Sequence, residues 1–294
     1  LHLLSRRQRQ MCIRDRYQIM EELTTRFPKI LFEGCSAGGN RFDLGILCYF
    51  PQILASDNTD ALCRTGIQNS YSYGYPLSVF TAHVSSCPNH QTLRITPLET
   101  RFQVASFGIL GYECNLKDLS GSDLNAIREQ IAFYKKWRDV FQFGSFYRGA
   151  ENEASDSETL SWTCVSPDGR RAVGLFFRRL TVPNQSHDWY RPVGLLPDVK
   201  YHFYGRNIKY NLKDFGDLVN TVSPIHIKQG SALQEILSRF VNMDGEKEDL
   251  TAYGDTLMRA GIALKPAFAG TGYNSDTRLF PDFSSRIYFM EAVE

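Results

Sequence analysis

The sequence predicts an α/β plus all-β protein: parallel βα units of the (β/α)8 TIM-barrel kind, followed by an antiparallel β-sandwich. Three observations predict it. Helix-like and strand-like segments alternate from Tyr17 to about residue 140, and polar residues follow the strand-like runs. Beyond residue 141 the pattern changes to strand-like runs paired across turn residues. The expected domains are therefore 17–140 and 141–294.

The elements follow in order. Tyr17 to Phe27 places Ile19, Met20, Leu23 and Phe27 at helical spacing, and Pro28 stops that helix before the apolar run 29–33. The stretch from Ile46 to Leu54 reads as a buried strand that delivers the polar loop Ser56-Asp57-Asn58-Thr59-Asp60. Thr59 or Asp60 can cap a helix after it. Residues 80–84 and 104–110 are rich in strand formers. From Ser122 to Val140, Leu124, Ile127, Ile131, Tyr134 and Trp137 share one face, which predicts an amphipathic helix. In the second half, LSWTCVS and RAVGLFFRRL flank the turn Pro167-Asp168-Gly169 and predict a hairpin. KYHFYG and SRIYFMEAV read as further strands, and residues 232–241 as one helix.

Composition limits the function classes. The 294 residues are 43% hydrophobic, enough for a substantial core, and no apolar run is long enough to cross a membrane. Net charge is +1, yet the first 16 residues hold five arginines and one aspartate, which leaves 28 basic against 31 acidic residues in the rest. Residues 1–16 read as translated sequencing adapter and are excluded from the fold reading. No nucleic-acid partner is expected once they are set aside. Cys35, Cys48, Cys63, Cys87, Cys114 and Cys164 form no disulfide-like framework and read as small buried hydrophobes or a site residue. A reducing, cytoplasmic location is the corresponding expectation.

The densest chemistry lies between Glu33 and Asp60. GCSAGG supplies backbone that a ligand can approach closely, because glycine carries no Cβ. No phosphate-binding glycine pattern follows a strand, so a nucleotide site is excluded. His83, Cys87 and His90 have spacings that invite zinc, but a structural zinc needs four ligands and a fourth is missing; no metal is expected. Trp137, Trp162 and Trp189 are expected in the core.

Cys35, Gly38 and Arg41 fit Cys-x-x-Gly-x-x-Arg, and Ser56 to Asp60 fit Ser-Asp-x-Thr-Asp. Ala82–Ser85 (AHVS), Pro88–Gln91 (PNHQ), Arg94–Arg101 (RITPLETR) and Gly111–Glu113 (GYE) follow. In this order the set resembles the retaining α-galactosidases of glycoside hydrolase family 36. The resemblance implies the C-terminal part of a TIM barrel followed by a β-sandwich, no cofactor, and hydrolysis of terminal α-galactosyl residues of melibiose- or raffinose-type sugars. It implies Asp57 as catalytic acid/base, and Cys35 and Gly38 as contacts to the galactosyl oligosaccharide. Arg41 is either a third contact or a salt-bridge partner of Asp43 or of a neighbouring loop acid. Asp60 reads as a helix cap or brace, with an exchange of roles between Asp57 and Asp60 left open.

The family's nucleophile, an Asp within Lys-Trp/Tyr-Asp-x-Asn-Arg upstream of the cysteine motif, is absent from the chain; KKWRDV (Lys135–Val140) comes too late and on a helix. The chain alone is therefore expected to be inactive, and the parent enzyme to be a possible homo-oligomer. Leu54 and Asn58 depart from the family's frequent Trp and Asp. A galactosyl transferase of the raffinose-synthase type, or a noncatalytic sugar-binding or assembly piece, are the alternatives.

Overall fold

The computed structural model describes residues 2–35, 43–150, 157–182, 187–221, 223–238, 240–267 and 278–293. The chain divides into two compact units, Leu1–Phe143 and Gly144–Glu294.

The first unit is an α/β layer. Its elements are α1 (His2–Arg26), β1 (Glu33–Gly34), β2 (Gln52–Ile53), α2 (Ala61–Tyr71), β3 (Thr81–Ser85), α3 (Leu98–Ser106), β4 (Ile109–Glu113) and α4 (Gly121–Phe143). β1 pairs in parallel with β2, Ile53 bridges in parallel to Phe80 at the start of β3, and β3 pairs in parallel with β4. The strands therefore run side by side in chain order, with helices in the connections, as parallel βα units require. No closed barrel is present among the described residues.

Packing explains each placement. Ala82 and Val84 alternate with Thr81, His83 and Ser85 along β3, and both are fully buried. α4 buries Ile127, Tyr134, Trp137 and Val140, as its helical spacing requires. The Tyr134 hydroxyl donates to the Gly108 carbonyl at 2.7 Å and accepts from the Leu110 amide at 3.3 Å, which ties α4 to the start of β4. Phe107 meets Phe141 edge-on at 5.0 Å. From α2, the Gln68 amide donates to the Val104 and Phe107 carbonyls at 3.1 and 2.8 Å, satisfying the end of α3.

Two local expectations change. The run 104–110 is not one strand: Val104 and Ala105 are buried in the last turn of α3, and the strand starts at Ile109. β-propensity lost to an amphipathic helix that buries Phe102 and Val104 together. Between Ile46 and Leu54 only Gln52–Ile53 is strand, and Ile46–Cys48 forms a 3-10 turn. Its amide at Ile46 donates to the Asp43 carboxylate at 2.9 Å, a side-chain bond that stops the chain extending.

The second unit is antiparallel. β5 (Ser145–Arg148), β6 (Thr159–Val165), β7 (Arg171–Arg178), β9 (Lys200–Gly205), β12 (Asp249–Tyr253) and β14 (Ser285–Ala292) form a six-stranded sheet in the order β12-β9-β14-β7-β6-β5. The ribbons β8 (Trp189–Tyr190) with β13 (Ile262–Ala263), and β10 (Lys209–Asn211) with β11 (Asn242–Asp244), are separate. Helices α5 (Ala232–Leu237) and α6 (Gly254–Arg259) complete the unit. Among the described residues the unit is thus an antiparallel sheet domain, with one six-stranded sheet and short two-stranded ribbons. β7 and β14 are buried along most of their length and run apolar through Ala172–Phe177 and Ile287–Met290, whereas β6 alternates Leu160, Trp162 and Cys164 with Ser161 and Thr163, which are buried too.

The β6–β7 turn is built as its residues dictate. Ser166 Oγ donates to Asp168 Oδ1 at 2.6 Å, the Arg170 amide donates to the same oxygen at 3.0 Å, and Gly169 takes φ +71°. Inside the unit, Arg178 and Arg278 both pair with the buried Asp188, and Arg286 pairs with Glu246. The Phe280 ring lies among the three guanidinium groups, 5.5 Å from Arg178, 4.5 Å from Arg278 and 4.9 Å from Arg286.

Candidate active site

Parallel strands deliver functional groups at their carboxyl ends, where the following loops begin. Here that edge carries Cys35 just past β1, the Ser56–Asp60 loop after β2, His83 and Ser85 on β3, and Glu113 at the end of β4. The pairing of Gly34 with Ile53, and the Leu54 amide donating to the Gly34 carbonyl at 2.8 Å, bring the exits of β1 and β2 together.

The loop separates its two acids. Asp60 is 1% exposed and N-caps α2, its Oδ1 accepting from the Cys63 amide at 2.9 Å. Its Oδ2 accepts from the Thr92 hydroxyl at 2.9 Å, and Arg94 forms an ion pair with it. Burial alone would raise its pKa, but the Cys63 amide, the Thr92 hydroxyl and Arg94 outweigh burial and hold it below the usual carboxylate value. Asp57 is exposed, and its carboxylate has no hydrogen-bond or ion-pair partner among the described residues. One carboxylate is used up in structure and the other is free to meet solvent or ligand.

Several residues that hold this loop were not singled out in the sequence. Asn89 Nδ2 donates to Thr59 Oγ1 at 3.2 Å and to Ser85 Oγ at 3.4 Å, and its Oδ1 accepts from the amides of Gln91 and Thr92. Asn89 of PNHQ, Thr92 between the two segments and Arg94 of RITPLETR thus brace the loop, whereas His90 is exposed. Arg64 of α2 donates to the Thr81 carbonyl at 2.6 Å and to the Ser56 carbonyl at 3.4 Å.

The remaining predicted residues divide. Cys35 is exposed at the end of β1, on the predicted edge. Gly38 and Arg41 lie outside the described residues. Asp43, offered as a partner for Arg41, accepts from the Tyr17 hydroxyl and from the Ile46 amide and lies 4.0 Å from Arg16. His83 Nδ1 lies 3.1 Å from Glu113 Oε2, with its ring over Gly111, where a Cβ would come within 2.7 Å of Cδ2. Among the described residues no group of three or more His, Cys, Asp or Glu could hold a metal ion. Cys87 is exposed, as are Cys35 and Cys48, so of the cysteines expected to be buried only Cys164 is fully so. Trp137 and Trp162 are core residues, but Trp189 is 46% exposed with Arg191 over its ring.

Comparison with known proteins gives consistent matches. The Melibiase family profile matches residues 3–144, and the glycosyl hydrolase family 36 C-terminal domain profile matches residues 159–290. Alpha-galactosidase 1 of Pediococcus pentosaceus is 45% identical over 185 residues, 63% of this chain and 25% of that protein. The crystal structure of the α-galactosidase from Lactobacillus brevis superposes with a TM-score of 0.73 at 34% identity, covering 95% of this chain and 31% of that one. The family 36 α-galactosidase AgaA of Geobacillus stearothermophilus, in complex with raffinose, gives 0.70 at 34% identity, covering 94% of this chain and 31% of that one. The chain thus spans about a quarter to a third of the length of these relatives. With the two profiles matching in succession along it, and solved members of the family overlying nearly its whole length, the chain belongs to glycosyl hydrolase family 36.

Proposed function

We propose that this chain supplies the acid/base side of a retaining α-galactosidase site that hydrolyses terminal α-galactosyl residues of raffinose-type oligosaccharides. The observation that carries the reading is the division of labour in the Ser56–Asp60 loop. Asp60 is fixed by Cys63, Thr92 and Arg94, while Asp57 is exposed at the carboxyl edge of the parallel strands. The names of the relatives, and the raffinose bound by one of them, supply the substrate class.

Retention needs two carboxyl groups about 5 Å apart, one attacking the anomeric carbon and one serving first as acid and then as base. Asp57 takes the second role. Protonated, it donates to the departing glycosidic oxygen; ionised, it takes a proton from the water that releases galactose. The attacking carboxylate is assigned to none of the 294 residues, which hold no Lys-Trp/Tyr-Asp-x-Asn-Arg sequence. Cys35, Gly38 and Arg41 are proposed to face the sugar hydroxyls. The strands that would complete a (β/α)8 barrel around β1–β4 belong to the same reading.

The test joins these residues to a segment bearing that sequence. Asp57→Ala should nearly abolish raffinose hydrolysis, while an aryl α-galactoside with a good leaving group still forms the galactosyl-enzyme. Added azide should then restore turnover and yield the α-galactosyl azide, because two inversions retain configuration. Azide rescue in Asp60→Ala, with Asp57→Ala near parental activity on raffinose, would reverse the assignment.

A further inference from the structure

Three buried side chains of the second unit each keep one polar atom that no described residue engages. Tyr288 of β14 and Arg278 are 2% and 0% exposed, and the Tyr288 hydroxyl and Arg278 Nη1 have no hydrogen-bond partner among the described residues. Glu248, just ahead of β12, is also buried. Its Oε1 accepts from the Lys265 amide at 2.7 Å, and its Oε2 has no partner among the described residues.

The three side chains lie around one place. Lys265 joins two of them, its amide donating to Glu248 and its carbonyl accepting from Arg278 Nε. Tyr288 pairs with Gly205 of β9, and a Cβ on Gly205 would meet the Tyr288 ring at 3.7 Å and Glu248 Cβ at 3.9 Å. Their charges are coupled as well. Burial pushes the Tyr288 phenol and the Glu248 carboxyl up; Arg278 opposes that shift in both, and Glu248 adds to it in the phenol. An unpaired donor in such a place bears its full desolvation cost, and folded domains meet that cost with internal water.

We propose that Arg278 Nη1, the Tyr288 hydroxyl and Glu248 Oε2 together bind one internal water molecule, which completes the polar cluster of the second unit and links β14 to the chain ahead of β12. The water accepts from Arg278 Nη1 and from the Tyr288 hydroxyl and donates to Glu248 Oε2, about three bonds, as internal waters usually make. The atoms present select water over an ion. Arg178, Arg278 and Arg286 stand with Asp188, Glu246 and Glu248, so the ionised cluster carries no formal charge to hold one. A halide would suit the two donors but lie against Glu248, and a metal ion would lie against Arg278. Only a ligand that both donates and accepts suits all three atoms.

The sign of one stability change tests the site. If the Tyr288 hydroxyl is dry and unpaired, Tyr288→Phe removes a buried liability, and the melting temperature of the 294-residue chain rises or stays in place. With water bound, the same variant loses a hydrogen bond and leaves the water short of partners, and the melting temperature should fall by about 2 °C or more. A rise or no change would overturn the proposal. Crystals of the parent chain grown with bromide give the second measurement, which also decides the matter if Tyr288→Phe does not fold. The expected result is one density peak within hydrogen-bond distance of all three atoms, with no bromine anomalous signal. Bromide at that position, a protein side chain filling it, or no peak at all would each overturn the assignment.

Discussion

Arg94 closes on the Asp60 carboxylate from the loop after β3, so the helix cap of α2 and the exit of a different strand share one ion pair. The loop bearing Asp57 is thereby held at its far end by chain 34 residues away in sequence.

Asp60→Ala should destabilise the 294-residue chain by about 2–4 kcal/mol, combining a lost N-cap with an unpaired Arg94 that is partly hydrated. Urea unfolding measures it, and a midpoint equal to the parent's would contradict the bracing role. Asp60→Asn keeps the cap and should cost less.

The pH dependence follows from the same carboxyl. Its folded pKa lies below the ordinary value, so the unfolded chain binds the proton more readily. The stabilisation is complete above an unfolded pKa of about 3.9 and disappears as pH falls through the folded value. Stability measured below about pH 4 should fall less steeply in Asp60→Asn than in the parent.

Two glycines should respond oppositely to alanine. At Gly66, exposed in α2, an added Cβ meets nothing within 4 Å, and Gly66→Ala should raise stability by up to about 1 kcal/mol. At Gly174 in β7 the Cβ would fall 1.8 Å from the Tyr190 hydroxyl oxygen, and Gly174→Ala should cost about 1–3 kcal/mol. Thermal melts of the two variants should move apart around the parent.

Asp188 holds two buried arginines, so Asp188→Ala should cost about 3–5 kcal/mol by stranding both charges. Replacing Arg178, Asp188 and Arg278 together by apolar residues of similar volume should recover most of that loss. A triple variant no more stable than Asp188→Ala would show that the charges are needed for packing geometry itself.

Much of this was legible in the sequence, for definable reasons. The β6–β7 hairpin was readable because Pro167-Asp168-Gly169 codes its turn locally, and α4 because its buried face repeats at helical spacing. The end of α3 was not, since Val104, Ala105 and Phe107 read equally well as a strand until the packing of Phe102 and Gln68 selects the helix. In the site, Asp60 announced itself as a cap, because capping is local. Arg94, Asn89 and Arg64 act across 34, 30 and 8 residues of sequence, and no spacing rule reports bonds made at that range.

β14 is flanked by β7 and β9 near the middle of its sheet, yet it follows every other strand of that sheet in the chain. During synthesis β7 and β9 would emerge from the ribosome well before the strand that joins them. Until then each offers an open edge lined with apolar side chains, the kind of surface that recruits chaperones or other nascent chains. Completion of the second unit is thereby deferred until β14 has been made, and a stop codon just ahead of Ser285 would remove the sheet's middle and leave its two halves without a seam.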